Sequence, residues 1–335
     1  MPKRTVNLGD GRPLLDLVSY GRRGPGRTDR LSPAQVEQIA RTVRRVPEVM
    51  VKVSGGGASA KGVLAHLKYI DRHGDLEIET DDGEQLRGKG VEKCLIEGWD
   101  LEADAAEARS PYGGTPGRKP AKLVHNIILS MPAGTPAAGL LAASRTFARE
   151  QFALKHRYAM VLHTDQDHPH VHLVIKAMSE RGERLNIRKA TLREWRREFA
   201  RHLRGQGIEA NATERFVRGE SRLHKIDGIY RPMIDPKRRS THLQERAESV
   251  AADMLAGKVK IEPAKSKLVE TRKEVERGWH AVSDMLVQDG RTELAAQVSR
   301  FVKQMEPPRT ERERIAVGLI ENAPRAHVKD RSATR

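Results

Sequence analysis

The segment from Tyr158 to Lys176 constrains the fold more than any other part of the chain. Two apolar runs, Tyr158–His163 and His170–Lys176, flank the polar residues TDQDHP, and each run has the length and composition of a buried strand. A connection this short joins two antiparallel strands. Because side chains alternate between the two faces of a strand, Val171, Leu173 and Ile175 are predicted to face a core.

The same segment contains four of the 13 histidines of the chain. Strand alternation places His170 and His172 on one face, and the hairpin brings His163 beside them. Three imidazoles around one divalent cation leave coordination positions open, as in a catalytic site. Asp165 is predicted to accept the second ring N–H of a ligating histidine. Imidazole ligands favour zinc or another transition metal over magnesium, so the ion stays open, and solvated histidines or a structural zinc site are the alternatives.

A second pattern surrounds Tyr69. Val63, Leu67 and Ile70 recur at helical spacing, whereas Tyr69 lies off this stripe and is predicted to face a cleft. Nearby basic residues are predicted to attract a phosphate and to favour the phenolate: Lys61, Lys68 and Arg72. On the local pattern alone, an ordinary half-buried tyrosine with its hydroxyl in solvent is the favoured interpretation.

The remaining patterns predict an α+β fold. Proline at position 33 begins a helix, residues 49–53 and 123–131 read as strands, and helices run to about Phe152 and through Trp195. Residues 74–118 are polar and turn-rich, with a hairpin at DDG (81–83) and a loop at PYGGTPG (111–117). The predicted architecture is an antiparallel sheet flanked by helices, followed by a charged, mostly helical C-terminal region.

These patterns divide the chain into three predicted regions. Residues 1–48 form a basic N-terminal arm and a helix, residues 49–220 form the domain with the histidines and the tyrosine, and residues 221–335 form the charged helical region. A chain of 335 residues is long enough for such a core and a second module.

Composition narrows the class of partner. Lys and Arg number 61 against 45 Asp and Glu, a formal charge of +16 that favours nucleic acid. Aromatic residues make up only 4%, and no long apolar run exists, which argues against membrane insertion. Cys94 is the single cysteine, and the N-terminus lacks the apolar stretch of a secretory signal, so a cytoplasmic location is predicted.

Three blocks of the sequence, in this order, resemble the conjugative relaxases and mobilisation nucleases of the HUH type, in particular the group that contains the T-DNA border endonuclease. The block KVSGGGASAKGVLAHLKYIDRHG is similar to the family's tyrosine helix, VHNIILSMPAGT to its serine block, and HTDQDHPHVHLVI to its three-histidine block. The resemblance runs from about Val49 to Gly219 and implies an antiparallel sheet flanked by helices.

The resemblance also implies roles for individual residues. Tyr69 is the implied nucleophile, and Ser130 contacts DNA near the scissile phosphate. Asp165 is the supporting carboxylate of a metal site formed by His163, His170 and His172. The implied cofactor is Mg²⁺ or Mn²⁺.

The implied activity is site- and strand-specific nicking and rejoining of plasmid or mobile-element DNA at an origin of transfer. The reaction passes through a 5′-phosphotyrosyl intermediate on single-stranded or locally melted DNA and initiates conjugative transfer. An accessory nicking protein and a type IV secretion coupling protein are candidate partners. Two other functions stay open, namely a metal-dependent hydrolytic nuclease in which Tyr69 is incidental and a non-catalytic DNA-binding accessory protein with a structural metal.

Overall fold

A computed structural model describes Leu17 and residues 30–109, 121–220, 241–258, 260 and 262–321. The predicted basic arm before residue 30, apart from Leu17, and the predicted loop at 111–117 lie outside the described residues. The chain divides into two compact units, of which the first contains residues 34–213 and the second contains residues 16–33 together with everything from residue 214 onward.

The first unit is built on one antiparallel sheet. The sheet order is β1-β4-β6-β5-β2-β3, and every neighbouring pair runs antiparallel. Its strands are β1 (Met50–Gly55), β2 (Ile78–Thr80), β3 (Gln85–Leu86), β4 (Val124–Ser130), β5 (Tyr158–His163) and β6 (His170–Lys176). The predicted α+β class with an antiparallel sheet flanked by helices is therefore confirmed.

In the described residues, six helices belong to this part of the chain. They are α1 (Pro33–Val43), α2 (Ala60–Ile70), α3 (Val91–Gly98), α4 (Leu101–Arg109), α5 (Ala137–Phe152) and α6 (Lys189–Gly205). The predicted hairpin at DDG is present as β2 and β3, but the turn-rich stretch that was expected to follow it contains α3 and α4 instead. These two helices are short and mostly polar, and they bury only a few apolar side chains, chiefly Leu95, Ile96, Trp99 and Leu101.

Two apolar clusters cover the two faces of the sheet. On one face, Val171, Leu173 and Ile175 of β6 pack with Phe147 of α5 and Trp195 of α6, as strand alternation predicts. On the other face, a stripe from α2 packs with side chains of β4, β5 and β6, and α3 and α4 extend that cluster: Val63, Leu67, Ile70, Val124, Val161 and Val174. His172 pairs with Val161 in the sheet, so the histidines lie on the face that α2 covers.

The second unit is mostly helical in the described residues, as the charged C-terminal sequence predicts. Its helices are α7 (Thr241–Leu255), α8 (Ala264–Gln288), α9 (Thr292–Lys303) and α10 (Glu311–Glu321). Trp279 of α8 is fully buried, contacts Phe301 of α9 edge to face, and donates its indole N–H to the carbonyl of Val217 at 2.8 Å. Within the described part of the chain, no helix combines the length and the apolar character that crossing a membrane requires.

Candidate active site

Three histidines converge at the end of the β5–β6 hairpin. His163 ends β5 and is the sheet partner of His170, which begins β6, and His172 follows on the same face. The three rings lie 4.5 to 5.1 Å apart, and one nitrogen from each lies within 4.8 Å of the others. A single ion bonded to each nitrogen at about 2.1 Å bridges such a group after small side-chain movements. The donor set therefore fits one divalent cation.

His163 and His172 are held in the neutral form that a metal requires. Burial, with smaller contributions from the neighbouring His163 and His170, lowers the pKa of His172 to about 3. Burial is also the main cause of the lowered pKa of His163. Because only a neutral imidazole offers a lone pair to a cation, both side chains are in the ligand form at neutral pH.

Backbone carbonyls orient two of the three rings. His163 Nε2 donates to the carbonyl of Ile70 at 2.6 Å, and His170 Nδ1 donates to the carbonyl of His168 at 3.0 Å. Each bond fixes a tautomer whose other nitrogen carries the lone pair, which is the usual role of a group behind a metal ligand. The bond from His163 also ties the strand that carries the histidine to the last residue of the tyrosine helix.

Asp165 lies beside the triad but contacts it indirectly. Its nearer carboxylate oxygen is 3.9 Å from His163 Nδ1, which is longer than a hydrogen bond. The carboxylate instead accepts a 2.5 Å bond from the guanidinium of Arg72. The carbonyl of Ile70 takes the orienting position toward His163 that the sequence pattern suggested for Asp165.

Helix α2 presents Tyr69 to the histidines. The helix begins after Ser59, whose hydroxyl accepts a bond from the backbone N–H of Gly62, and it buries the predicted stripe completely. Tyr69 lies off the stripe and 57% of its surface is exposed. Its ring stands edge-on to the ring of His172, with 6.5 Å between centroids. The phenol therefore lies in an open position at the border of the triad.

The other predicted site residues occupy different positions around this centre. Ser130 ends β4, is the sheet partner of His170 and is 8% exposed. Arg72 contacts both Tyr69 and His163. Lys61 and Lys68 lie on α2, and neither forms an ion pair with another residue in the described part of the chain. The structure thus brings Arg72 and Ser130 to the histidines, whereas neither lysine forms a hydrogen bond or ion pair with the triad in the described part of the chain.

His66 is a site residue that sequence reasoning did not assign. Its ring lies 6.2 Å from that of His172 and 6.3 Å from that of Tyr69, with the Tyr69 and His66 planes nearly parallel. Its Nε2 is buried and has no hydrogen-bond partner among the described residues. Burial lowers the pKa of His66. The spacing of three residues to Tyr69 was the only signal in the sequence.

A second cluster of residues that could bind a metal lies between α5 and α6. Glu150, Glu198 and His202 lie close enough to surround an ion. However, Arg201 donates to both carboxylates, at 2.6 and 2.7 Å, and His202 lies 3.1 Å from Glu150. The guanidinium of Arg201 bridges the two acids, so the group is an ion-pair network that links two helices.

Comparisons with known proteins agree with this geometry. The family model described as "Relaxase: MobA/VirD2-like, nuclease domain" matches residues 69–208, a range that begins at the tyrosine and includes all three histidines. The T-DNA border endonuclease VirD2 of Rhizobium rhizogenes is 28% identical over 138 residues, which are 38% of this chain and 30% of that protein. VirD2 of Agrobacterium fabrum shows the same identity and coverage.

The chain spans less than half the length of the curated relatives that it matches. A solved structure described as "Molecular Basis of Vancomycin Resistance Transfer in Staphylococcus aureus" is 15% identical and covers 50% of this chain and 99% of its own, with a TM-score of 0.30, a likeness that supports no inference. The similarity to this family rests on the family model and on the VirD2 sequences. Residues 69–208 therefore match the nuclease domain of the MobA/VirD2-like relaxases, the family that the three sequence blocks resemble.

Proposed function

We propose that this protein is a relaxase that nicks and rejoins one DNA strand at an origin of transfer and so initiates conjugative transfer of a plasmid or mobile element. The observation that carries the proposal is the exposed ring of Tyr69, 6.5 Å from the ring of His172 at the edge of the histidine triad. The names of the matched family and of the VirD2 relatives, a relaxase nuclease domain and a border endonuclease, support the same activity.

The proposed reaction is a transesterification. The phenolic oxygen of Tyr69 bonds to the phosphorus as its proton leaves, the bond from phosphorus to O3′ breaks, and that oxygen becomes a free 3′-hydroxyl. The 5′ end of the DNA stays on the tyrosine as a phosphodiester, so the energy of the broken bond is retained. Attack by a 3′-hydroxyl on the same phosphorus reverses the step and reseals the strand.

The remaining residues bind and orient the DNA. His163, His170 and His172 would hold Mg²⁺ or Mn²⁺, which supplies positive charge for the phosphate oxygens in the transition state. Ser130 donates its hydroxyl to DNA near the scissile phosphate, and Asp165 contributes negative charge beside the triad. Lys61 and Lys68 on α2 contact backbone phosphates, and Arg72, which follows the helix, adds positive charge to the DNA-binding surface.

Single-stranded or locally melted DNA is the proposed substrate, in line with the relaxase nuclease domain that residues 69–208 match. The net charge of +16 supports a polyanionic partner of this kind. An accessory nicking protein and a type IV secretion coupling protein are proposed as partners in the cell.

The nicking assay uses purified protein, Mg²⁺ or Mn²⁺, and a supercoiled plasmid with the origin of transfer of the element that encodes the chain. We expect nicked circles and a covalent protein–DNA species. The 3′ end at the nick should be extended by a polymerase, and the 5′ end should resist a 5′-specific exonuclease.

Tyr69→Phe should abolish the covalent species and lower nicking by at least about 1,000-fold. The matched control is Tyr158→Phe, because Tyr158 is buried on the opposite face of the sheet and should keep the activity. Nicking by Tyr69→Phe at the wild-type rate, with a free 5′ phosphate, would mean a hydrolytic nuclease. DNA binding without nicking by the unaltered protein, with either metal, would mean a binding protein only.

A further inference from the structure

Arg72 contacts three parts of the candidate site at once. One guanidinium nitrogen donates to Asp165 at 2.5 Å and lies 3.3 Å from His163 Nδ1. The other nitrogen donates to the carbonyl of Tyr69 at 3.2 Å, and the guanidinium carbon lies 5.1 Å from the centroid of the tyrosine ring. The side chain therefore links the helix that carries the tyrosine to the strand and loop that carry His163 and Asp165.

The backbone after α2 directs Arg72 into this position. Arg72 and His73 both have left-handed conformations, with φ of 54° and 60°, which side chains other than glycine rarely adopt. The turn is fixed by bonds from His73 N to the carbonyl of Lys68 and from Leu76 N to the carbonyl of Asp71, at 3.0 and 2.8 Å. A turn held this firmly returns the arginine side chain toward the helix that precedes it.

Among the described residues, few other groups could hold the ring of Tyr69. More than half of its surface is exposed, and the rings of His66 and His172 lie beside it at 6.3 and 6.5 Å. The guanidinium of Arg72 is the charged group that lies over the ring. A nucleophile must be held close to its reacting geometry, because small displacements reduce the rate strongly.

We infer that Arg72 is a positioning residue that holds the Tyr69 ring against the histidine triad, and that Asp165 acts by anchoring Arg72. This inference rests on the proposed function for its catalytic meaning. It assigns Arg72 a different primary role from that of a free phosphate-binding cation, because its charge is already paired with Asp165. It also explains why Asp165 lies beyond hydrogen-bond distance from His163.

Lysine cannot replace arginine in this role. A planar guanidinium bonds a carboxylate and a carbonyl while it lies over an aromatic ring, whereas an ammonium is a point charge without a flat face. Arg72→Lys therefore keeps the positive charge and removes the positioning. Asp165→Asn keeps the size of the side chain and weakens the anchor.

The first measurement reports the tyrosine ring directly and does not depend on nicking. The protein is labelled with 3-fluorotyrosine, and the signal that Tyr69→Phe lacks is assigned to Tyr69. Arg72→Lys and Asp165→Asn should both shift this signal and change its line width, without metal and with Mg²⁺. The control is Lys155→Gln, an exposed lysine before β5, at the end of the strand opposite His163, which should leave the signal unchanged. An unchanged Tyr69 signal in Asp165→Asn would overturn the inference.

The second measurement separates positioning from DNA binding. The rate of covalent adduct formation is measured in single turnover at saturating DNA, and the Kd is measured separately by fluorescence anisotropy. Arg72→Lys should lower the rate at least about 10-fold while the Kd changes less than about 3-fold. The double variant with Asp165→Asn should be no slower than Arg72→Lys, because the two residues act through one contact.

Two outcomes would contradict the inference. A normal rate with a weakened Kd in Arg72→Lys would make Arg72 a phosphate contact, and additive losses in the double variant would mean that Asp165 acts independently. If the wild-type protein forms no adduct, the proposed function fails, and the fluorine signals still decide whether Arg72 and Asp165 position the ring. Thermal unfolding of each variant verifies that the fold is retained.

Discussion

Acidification should destabilise the central sheet through its buried histidines. His172 is 8% exposed with a pKa lowered to about 3, and His125 is partly buried with a pKa lowered to about 4, in both cases mainly by burial. In the unfolded chain, both groups titrate near the ordinary value of 6.5. Below pH 6.5 the unfolded chain binds protons that the folded protein does not bind, so the free energy of unfolding decreases as the pH falls.

The magnitude follows from the shifts. For each such histidine, the free energy of unfolding falls by about 1.4 kcal/mol for every pH unit below 6.5. At pH 5 each histidine has therefore lowered it by about 2 kcal/mol, and the two together by about 4 kcal/mol. The loss continues until the pH passes the folded values, about 4 for His125 and about 3 for His172. A domain of this size is stabilised by only about 5 to 15 kcal/mol, so the effect is a large fraction of the total.

Hydrogen exchange measures this effect in the sheet itself, without assuming that the two units unfold together. The amides of Val171 and Leu173 lie in the central strand β6, and their exchange rates, corrected for the intrinsic effect of pH, give a free energy of opening. Between pH 7 and pH 5, the wild-type value should fall by about 2 kcal/mol more than the value for His172→Gln.

The control is His168→Gln, which removes an exposed histidine of the same hairpin and should keep the wild-type pH dependence. Burial and the neighbouring Glu92 raise the pKa of Asp71, so this group adds stability as the pH falls. Its contribution cancels when the pH dependence of a variant is subtracted from that of the wild type. Equal pH dependence in the wild type and His172→Gln would refute the reasoning, because it would mean that His172 takes up its proton in the folded state.

Two further changes test the metal site and the glycines at 55–57, which lie between β1 and α2. Mn²⁺ at about 100 times its Kd should raise the free energy of unfolding of the wild type by about 2.7 kcal/mol, as measured by denaturant titration, and His170→Ala should lose this gain while His168→Ala keeps it. Gly56→Ala should lower the free energy of unfolding by about 1 to 3 kcal/mol, since its Cβ would collide with the carbonyl oxygen of Val124. Gly98→Ala, with open space around it, should not destabilise the protein in the same titration.

Sequence patterns predicted the histidine hairpin at the level of single residues because its strands are governed by local rules. The bounds of β5 and β6 are those that the apolar runs indicated, and Val171, Leu173 and Ile175 are fully buried on the face opposite the histidines. Backbone geometry makes successive side chains of a strand point to opposite faces, and this alternation does not depend on what packs against the sheet. The close approach of the three imidazoles follows from the same rule and from the short connection.

Helices α3 and α4 could not be recognised in this way. Their sequences, VEKCLIEG and LEADAAEAR, contain few apolar residues at helical spacing, and they lie within a long polar stretch. Short helices of this composition gain most of their stability from tertiary packing rather than from propensity. Trp99, which follows α3, is buried in the cluster formed by α2 and the sheet, a contact that no local pattern contains.

The partner of Asp165 shows the same limit inside the site. The spacing of two residues to His163 suggested a contact between neighbours, but the carboxylate bonds to Arg72, which lies 93 residues earlier in the chain. The carbonyl of Ile70, which lies 93 residues before His163, accepts the ring N–H of His163 that the sequence pattern assigned to Asp165. The sequence shows which residues can act as ligands, acids or cations. The contacts of Asp165 with Arg72 and of His163 with Ile70 depend on where the end of α2 lies on the sheet.

The position of Tyr69 follows from that packing rather than from the tyrosine itself. Val63, Leu67 and Ile70 are fully buried against the same face of the sheet that carries His172, which fixes the rotation of α2 about its axis. With that rotation fixed, the residue just before Ile70 lies at the border of the helix, and its ring reaches the triad edge-on. Burial of the apolar stripe therefore directs the phenol of Tyr69 toward the triad. The side chain of Arg72, in the turn immediately after α2, holds the ring there.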